Sequence, residues 1–141
     1  MNDDILKLKN QLCFPLYACS KEVIKKYTPL LDEIGITYTQ YIVMMVLWEH
    51  NTIDQKSLGD KLYLDSGTLT PLLKKMEVQG LLKRKRELKD ERRINVVITE
   101  KGEQLKEKAV KIPEKIGKCV NLSSDEAAML YQLLYKIIGQ V

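Results

Sequence analysis

Histidine and cysteine are scarce in this 141-residue chain, which has one His, three Cys and no C-x-x-C pair. Zinc needs clustered His and Cys ligands, so the composition speaks against a zinc site, and nothing calls for a cofactor. The opening MNDDILKLKN has no charged segment followed by an apolar one, and no apolar run approaches the ~20 residues of a membrane span. The expectation is a soluble, cytoplasmic protein without a membrane partner, folded as one domain over 1–141. An odd cysteine count in such a chain argues against a disulfide framework. Cys13, Cys19 and Cys119 are then to be weighed as buried or reactive thiols. There is no internal repeat or low-complexity tract.

What is plentiful is positive charge in one place. The formal net charge is +4, yet Lys74 to Lys101 holds ten basic residues against five acidic ones. All four arginines, Arg84, Arg86, Arg92 and Arg93, fall in that window. Guanidinium groups suit forked contacts with phosphates and guanine edges, and insertion into a minor groove. A charge run alone is usually a solvated face, so the surrounding elements must decide.

Val23, Ile24, Tyr27, Leu30, Leu31 and Ile34 recur at helical spacing and Gly35 ends the pattern, which predicts a long first helix. YIVMMVLWEH is too apolar for an exposed helix and reads as a buried one, with Trp48 in the core and His50 exposed at its end. TIDQ, Thr52 to Gln55, reads as a capping box opening a short helix through Leu62. Asp65 or Ser66 then caps a second short helix, whose stripe of Leu69, Leu72, Leu73 and Met76 runs to Gly80. Two short helices joined by so few residues predict a helix-turn-helix over 54–79. LLKRKRE and RINVVI read as strands around the polar turn LKDER, a hairpin over 82–98. A hairpin loaded with arginine directly after a helix-turn-helix is the wing of a winged helix, here 36–103, and this context turns the charge run into a DNA-facing feature. Thr99 caps a further helix that Pro113 interrupts or ends, and Ser123 with Glu126 forms a capping box for the last. The predicted class is mainly α with a small β wing (α+β). Segments 1–35 and 104–141 supply helices for a homodimer interface.

With its apolar stripe turned inward, the second short helix presents Ser66, Gly67, Thr68, Thr70, Pro71, Lys74 and Lys75. Small residues at its start admit the backbone close to base edges, and the lysines anchor phosphates. Ser66, Thr68, Thr70, Pro71, Lys74, Lys75 and the four arginines are therefore the candidate contacts to double-stranded DNA. Met44, Met45, Met76 and Met129 read as core or interface.

NQLCF, KKYTPLLDEIGITYTQYIVMMVLWEH, LYLDSGTLTPLLKKME, DERRINVVITEKG and KEKAVKIPE together resemble the MarR family of dimeric winged-helix repressors. Within it, NQLCF with LDSGTLTPLLK resembles the organic hydroperoxide-sensing (OhrR-like) branch. That resemblance implies a homodimer bound to an inverted-repeat operator and released when an organic hydroperoxide oxidises it. It implies that Cys13 is the reactive cysteine and that Tyr27 and Tyr38, one from each subunit, hydrogen-bond its sulfur. Phenol donors and a nearby helix N-terminus favour a thiolate, the species a peroxide attacks. Oxidation would pass through sulfenic acid to a mixed or protein disulfide. Cys119 stands in the region of the branch's resolving thiol and is either that or a structural cysteine. Cys19, more than half a turn out of register with Cys13, reads as a small buried residue. Pro15 departs from the branch, so the first helix begins around Phe14 or kinks there.

Three other functions compete with the redox-switched regulator. One is a MarR-type repressor released by a small aromatic ligand, another a broader thiol-based redox and virulence regulator, and the third a thiol peroxidase. The peroxidase is the weakest, since no second catalytic constellation accompanies Cys13 and the chain is devoted to a DNA-reading face, so the chain reads as no enzyme.

Overall fold

A computed structural model describes residues 2–139, which pack as two compact units divided between Lys111 and Ile112. The first unit opens with short 3-10 turns, Asp3–Leu6 and Leu8–Asn10, followed by α1 (Cys13–Asp32), α2 (Tyr38–His50), β1 (Thr52–Asp54), α3 (Gln55–Leu62) and α4 (Ser66–Val78). It closes with β2 (Leu82–Arg86), β3 (Ile94–Ile98) and α5 (Glu100–Ala109). The second unit holds α6 (Ile112–Cys119) and α7 (Ser124–Ile138). The mainly helical winged helix-turn-helix expected from the sequence is what the chain forms. The unit boundary falls beyond residue 104 because α5 stays with the first unit: Gly102 and Ala109 are buried, and the Trp48 indole donates to the Gly102 carbonyl at 2.9 Å.

The caps lie where side-chain chemistry puts them. Thr37 and Gln40 form a reciprocal capping box on α2, Asp65 accepts from the Thr68 N–H at the start of α4, and Thr99 accepts from the Gly102 N–H at the start of α5. Ser123 and Glu126 make the predicted box on α7, and Pro113 sits in the first turn of α6, where a missing N–H costs nothing. One expectation fails. Thr52 does not cap α3: Thr52–Asp54 is a strand, and Asp54 is the cap, its Oδ1 accepting from the Ser57 N–H at 2.9 Å. The strand arises because β1 pairs with β3, making a three-stranded antiparallel sheet in the order β1-β3-β2 where a two-stranded hairpin was expected. Its long-range partner, Asn95 to Val97, is invisible to a local motif.

The core joins α2 to the DNA-reading elements. Val43, Met44 and Leu47 from α2, Leu58 from α3, Leu69, Leu73 and Met76 from α4, and Leu81, Leu82 and Val96 around the wing are all buried. Each such side chain is worth about 1.5–3 kcal/mol relative to exposure. Leu72, the fourth residue of the predicted stripe, is half-buried. Trp48 is half-buried rather than enclosed, and its indole N–H donates to the carbonyl of buried Gly102. His50 is exposed at the end of α2, while Met45 and Met129 lie on the surface of this single chain, unlike Met44 and Met76. Buried Gln40 is satisfied, its amide donating to Gln79 Oε1 at 3.0 Å and so tying α2 to the end of α4.

The tightest packing surrounds Gly102. A Cβ there would collide with the Leu81 carbonyl and meet Ile98 Cγ1 at 2.9 Å. Backbone oxygen cannot swing aside as a flexible side chain can. Replacing Gly102 with Ala should therefore lower the unfolding free energy by about 1–3 kcal/mol or more, measured by urea denaturation. An unchanged midpoint would show that α5 can be lifted from the wing without loss.

Candidate DNA-reading face and thiol site

The turn between α3 and α4 is short because Tyr63 takes a left-handed conformation, φ 57°, which sends the Leu64 N–H back to the Gly59 carbonyl at 3.0 Å. A Cβ on Gly59 would meet the Leu64 carbonyl oxygen at 2.8 Å, so this close turn demands glycine there. α4 buries Leu69, Leu73 and Met76 and leaves Ser66, Gly67, Thr68, Pro71, Lys74 and Lys75 exposed. Thr70 is set apart from them: half-buried, it accepts a hydrogen bond from Gln55 Nε2 at 3.0 Å and ties α4 to α3.

The four arginines also separate. Arg84 lies opposite Val96 on β2, its side chain only 18% exposed, with Nε 3.6 Å from Glu77 Oε1. Its backbone N–H donates to Glu77 Oε2 at 2.8 Å. This arginine joins the wing to α4. Arg86 Nη1 donates to the Glu91 carbonyl at 2.8 Å, which shapes the wing tip. Arg93 lies 3.8 Å from Glu87, and its charge, after the two hydrogen bonds from Ser57, helps hold the Asp54 carboxyl below its ordinary range. Arg92 is 94% exposed and pairs loosely with Asp90 at 3.5 Å. Between α3, the start of α4 and the wing lies a cleft of about 580 Å³ lined by Ser57, Ser66, Arg92 and Arg93 among others. Sequence reading assigns all four arginines one role. Register and burial distinguish them, and the signal for Arg84 was Glu77, seven residues earlier on the facing helix.

Cys13 is the first residue of α1 and is exposed, with Leu12 as an N-cap that contributes no side-chain hydrogen bond. Pro15 therefore sits in the first turn, where the helix tolerates it, and α1 runs unbroken to Asp32 as a single helix. Cys19 is exposed, not buried as expected, because the described residues do not cover that face of α1. Cys119 ends α6 and is also exposed.

Tyr27 and Tyr38 stack within one chain, ring centroids 5.0 Å apart, and Tyr41 completes the cluster at 5.9 and 6.3 Å. Packing of α1 on α2 brings Tyr27 and Tyr38 of the same chain together. Tyr27 lies fourteen positions after Cys13 on one helix, about 21 Å at a rise of 1.5 Å per residue. A chain's own Cys13 cannot reach this cluster. Tyr41, a buried member, was missed by sequence reading, though its spacing of three from Tyr38 on α2 was available.

Burial, followed by repulsion from Tyr38, pushes the Tyr27 phenol above its ordinary range, and burial followed by repulsion from Tyr27 and Tyr38 does the same for Tyr41. A phenol whose folded value is raised contributes stability that is complete below the ordinary value of about 10 and is lost as pH rises through the folded one. The unfolding free energy should accordingly fall above pH ~10, and Tyr27→Phe should make that fall shallower in urea titrations.

A buried stripe on a short second helix, an exposed small-and-basic opposite face and an arginine-tipped hairpin define a winged helix-turn-helix regulator of transcription. The profile of the SarA/Rot transcriptional regulators matches residues 25–109. The chain is 52% identical over 135 residues to the organic hydroperoxide resistance transcriptional regulator of Bacillus subtilis, spanning 96% of this chain and 92% of that one. It is 43% identical to the regulator SarZ of Staphylococcus aureus, over 94% and 90% of the two chains. Among solved structures, reduced AbfR bound to DNA, a protein of Staphylococcus epidermidis, aligns with a TM-score of 0.79 at 37% identity, over 99% of this chain and 97% of that one. Its disulfide form aligns at 0.65 with 35% identity, over 99% and 94%. The chain belongs to the MarR-type winged-helix transcriptional regulators, in the branch of the organic hydroperoxide sensors. Among the described residues no helix is long and apolar enough to cross a membrane.

The placement of the basic residues separates two roles. Lys74→Ala with Lys75→Ala should flatten the dependence of log affinity on log salt by about 0.9 for each phosphate no longer neutralised, with little effect on stability. Arg84→Ala should do the reverse, destabilising the fold by about 1 kcal/mol and leaving that slope unchanged, as fluorescence anisotropy and denaturation would show.

Proposed function

We propose that two copies of this chain hold an inverted-repeat operator as a repressor and release it when an organic hydroperoxide oxidises Cys13. The observation that carries this reading is the exposed thiol on the first turn of α1, in a chain half identical to a regulator named for organic hydroperoxide resistance. The N-terminal segment and α1 expose Ile5, Leu6, Leu8, Leu12 and Leu16, and α7 exposes Met129, Leu130, Leu133, Ile137 and Ile138. Apolar surface on this scale suits a second copy. A second copy would also complete the thiol site: with Cys13 about 21 Å along α1 from its own Tyr27, the partner's Tyr27 and Tyr38 would be the phenols that meet the Cys13 sulfur.

Protonated phenols can donate to the Cys13 thiolate. The sulfur attacks one peroxide oxygen, the O–O bond breaks, and the alkoxide leaves as an alcohol once it gains a proton. Sulfur has lost two electrons and carries a hydroxyl as sulfenic acid. A second thiol then condenses with it, releasing water. Cys119 or a small-molecule thiol would serve, and a mass measurement separates them. In AbfR the disulfide form fits this chain less well than the reduced, DNA-bound form, which supports two arrangements of one fold.

Exposed Ser66, Thr68 and Pro71 bring α4 to base edges in the major groove, Lys74 and Lys75 hold phosphates, and Arg86, Arg92 and Arg93 bring the wing to a neighbouring groove. The test is an operator fragment selected from random DNA with reduced protein, then challenged with one equivalent of cumene hydroperoxide. Wild type should lose about tenfold or more in affinity and Cys13→Ser should keep its own. Release of the serine variant would point to a ligand-type repressor, and continuous peroxide turnover with a thiol reductant to an enzyme.

A further inference from the structure

We propose that Trp48 is a positioning residue that transmits the state of the tyrosine cluster to the base of the wing, so that it couples Cys13 oxidation to DNA release. This rests on the redox reading above and names its internal route. The rings form a contiguous series: Tyr27 and Tyr38 each touch Tyr41, and Tyr41 meets Trp48 edge-on with centroids 6.3 Å apart. Tyr41 is 3% exposed, so this middle member is enclosed by protein, and interiors of this kind are close-packed. At the far end the Trp48 N–H donates to the Gly102 carbonyl at 2.9 Å.

Gly102 is the point where the wing is anchored. Its N–H donates to Thr99 Oγ1, whose hydroxyl donates to the Gly80 carbonyl at 2.5 Å, and the Thr99 N–H donates to the Leu81 carbonyl at 3.2 Å. Leu82 and Ile98, the neighbours of that seam, are the opening pair of the wing ladder. The end of α4, both strands of the wing and the start of α5 therefore meet within one hydrogen-bonded knot, which α2 reaches through Gln40 at Gln79 and, as the continuation of the ring series, through Trp48 at Gly102. A partner thiol seated on Tyr27 and Tyr38 changes its volume and hydrogen bonding on oxidation. With a close-packed series behind it, that change shifts α2 and the knot together instead of dissipating in a void.

The experiment compares wild type with Trp48→Phe, which keeps an aromatic ring but has no N–H. Reduced Trp48→Phe should bind the selected operator within about threefold of wild type, and mass spectrometry should show Cys13 oxidised to the same extent in both. Wild type should then weaken by about tenfold or more and the variant by less than about threefold. Equal release of both proteins overturns the relay alone; wild type that stays bound with Cys13 oxidised overturns the redox reading, and the relay with it. Trp48 is the only tryptophan, so its emission provides a readout in the unaltered protein, whatever the stability of the variant. Its maximum should move when Cys13 is oxidised and stay fixed in Cys13→Ser, and an emission unchanged by oxidation of the wild type overturns the relay.

Discussion

The seam formed by Gly80, Leu81, Thr99 and Gly102 holds the DNA-reading half together. Four elements end or begin there, and the Gly102 backbone lies so close to Leu81 that no side chain fits between them. Because the seam is made of backbone groups and a cap hydroxyl, it fixes the angle at which the wing leaves α4. The Glu77 and Arg84 pair adds a second tie between the same two elements, and Gln40 with Gln79 a third from α2. α4 and the wing are thus tied to one another at several points, and under the proposed function such a pair would respond together to a change in spacing.

Distance along α1 imposes a different constraint. An unbroken helix separates Cys13 from Tyr27 by about 21 Å, so a chain's thiol stays apart from its own tyrosine cluster. In the proposed dimer, oxidation of Cys13 would fall at an interface, where small changes act on the relative placement of subunits. Pro15 does not disturb this, because it occupies a first-turn position whose N–H has no intrahelical partner.

Much of the fold and of the DNA face was legible in the sequence. The α4 stripe, the caps at Asp65, Thr99 and Ser123, and the arginine cluster are local patterns, and local chemistry settles them. Two readings failed for one reason, that each depended on distant parts of the chain. Thr52 became a strand residue because Asn95 to Val97 offered it a ladder. Cys19 was assigned to a core that this single chain does not build over α1.

The amino-acid order by itself determined the helix starts, the apolar stripes, the small first turn of α4 and the concentration of charge after Lys74. These follow from periodicity and capping, which operate over three or four residues. Tertiary structure alone decided which arginine is a strut and which is exposed, that Tyr41 and Trp48 extend the tyrosine pair, and that Cys13 stands far from the tyrosine cluster of its own chain. Those outcomes depend on which surfaces meet across long stretches of chain, and a local pattern carries no record of them.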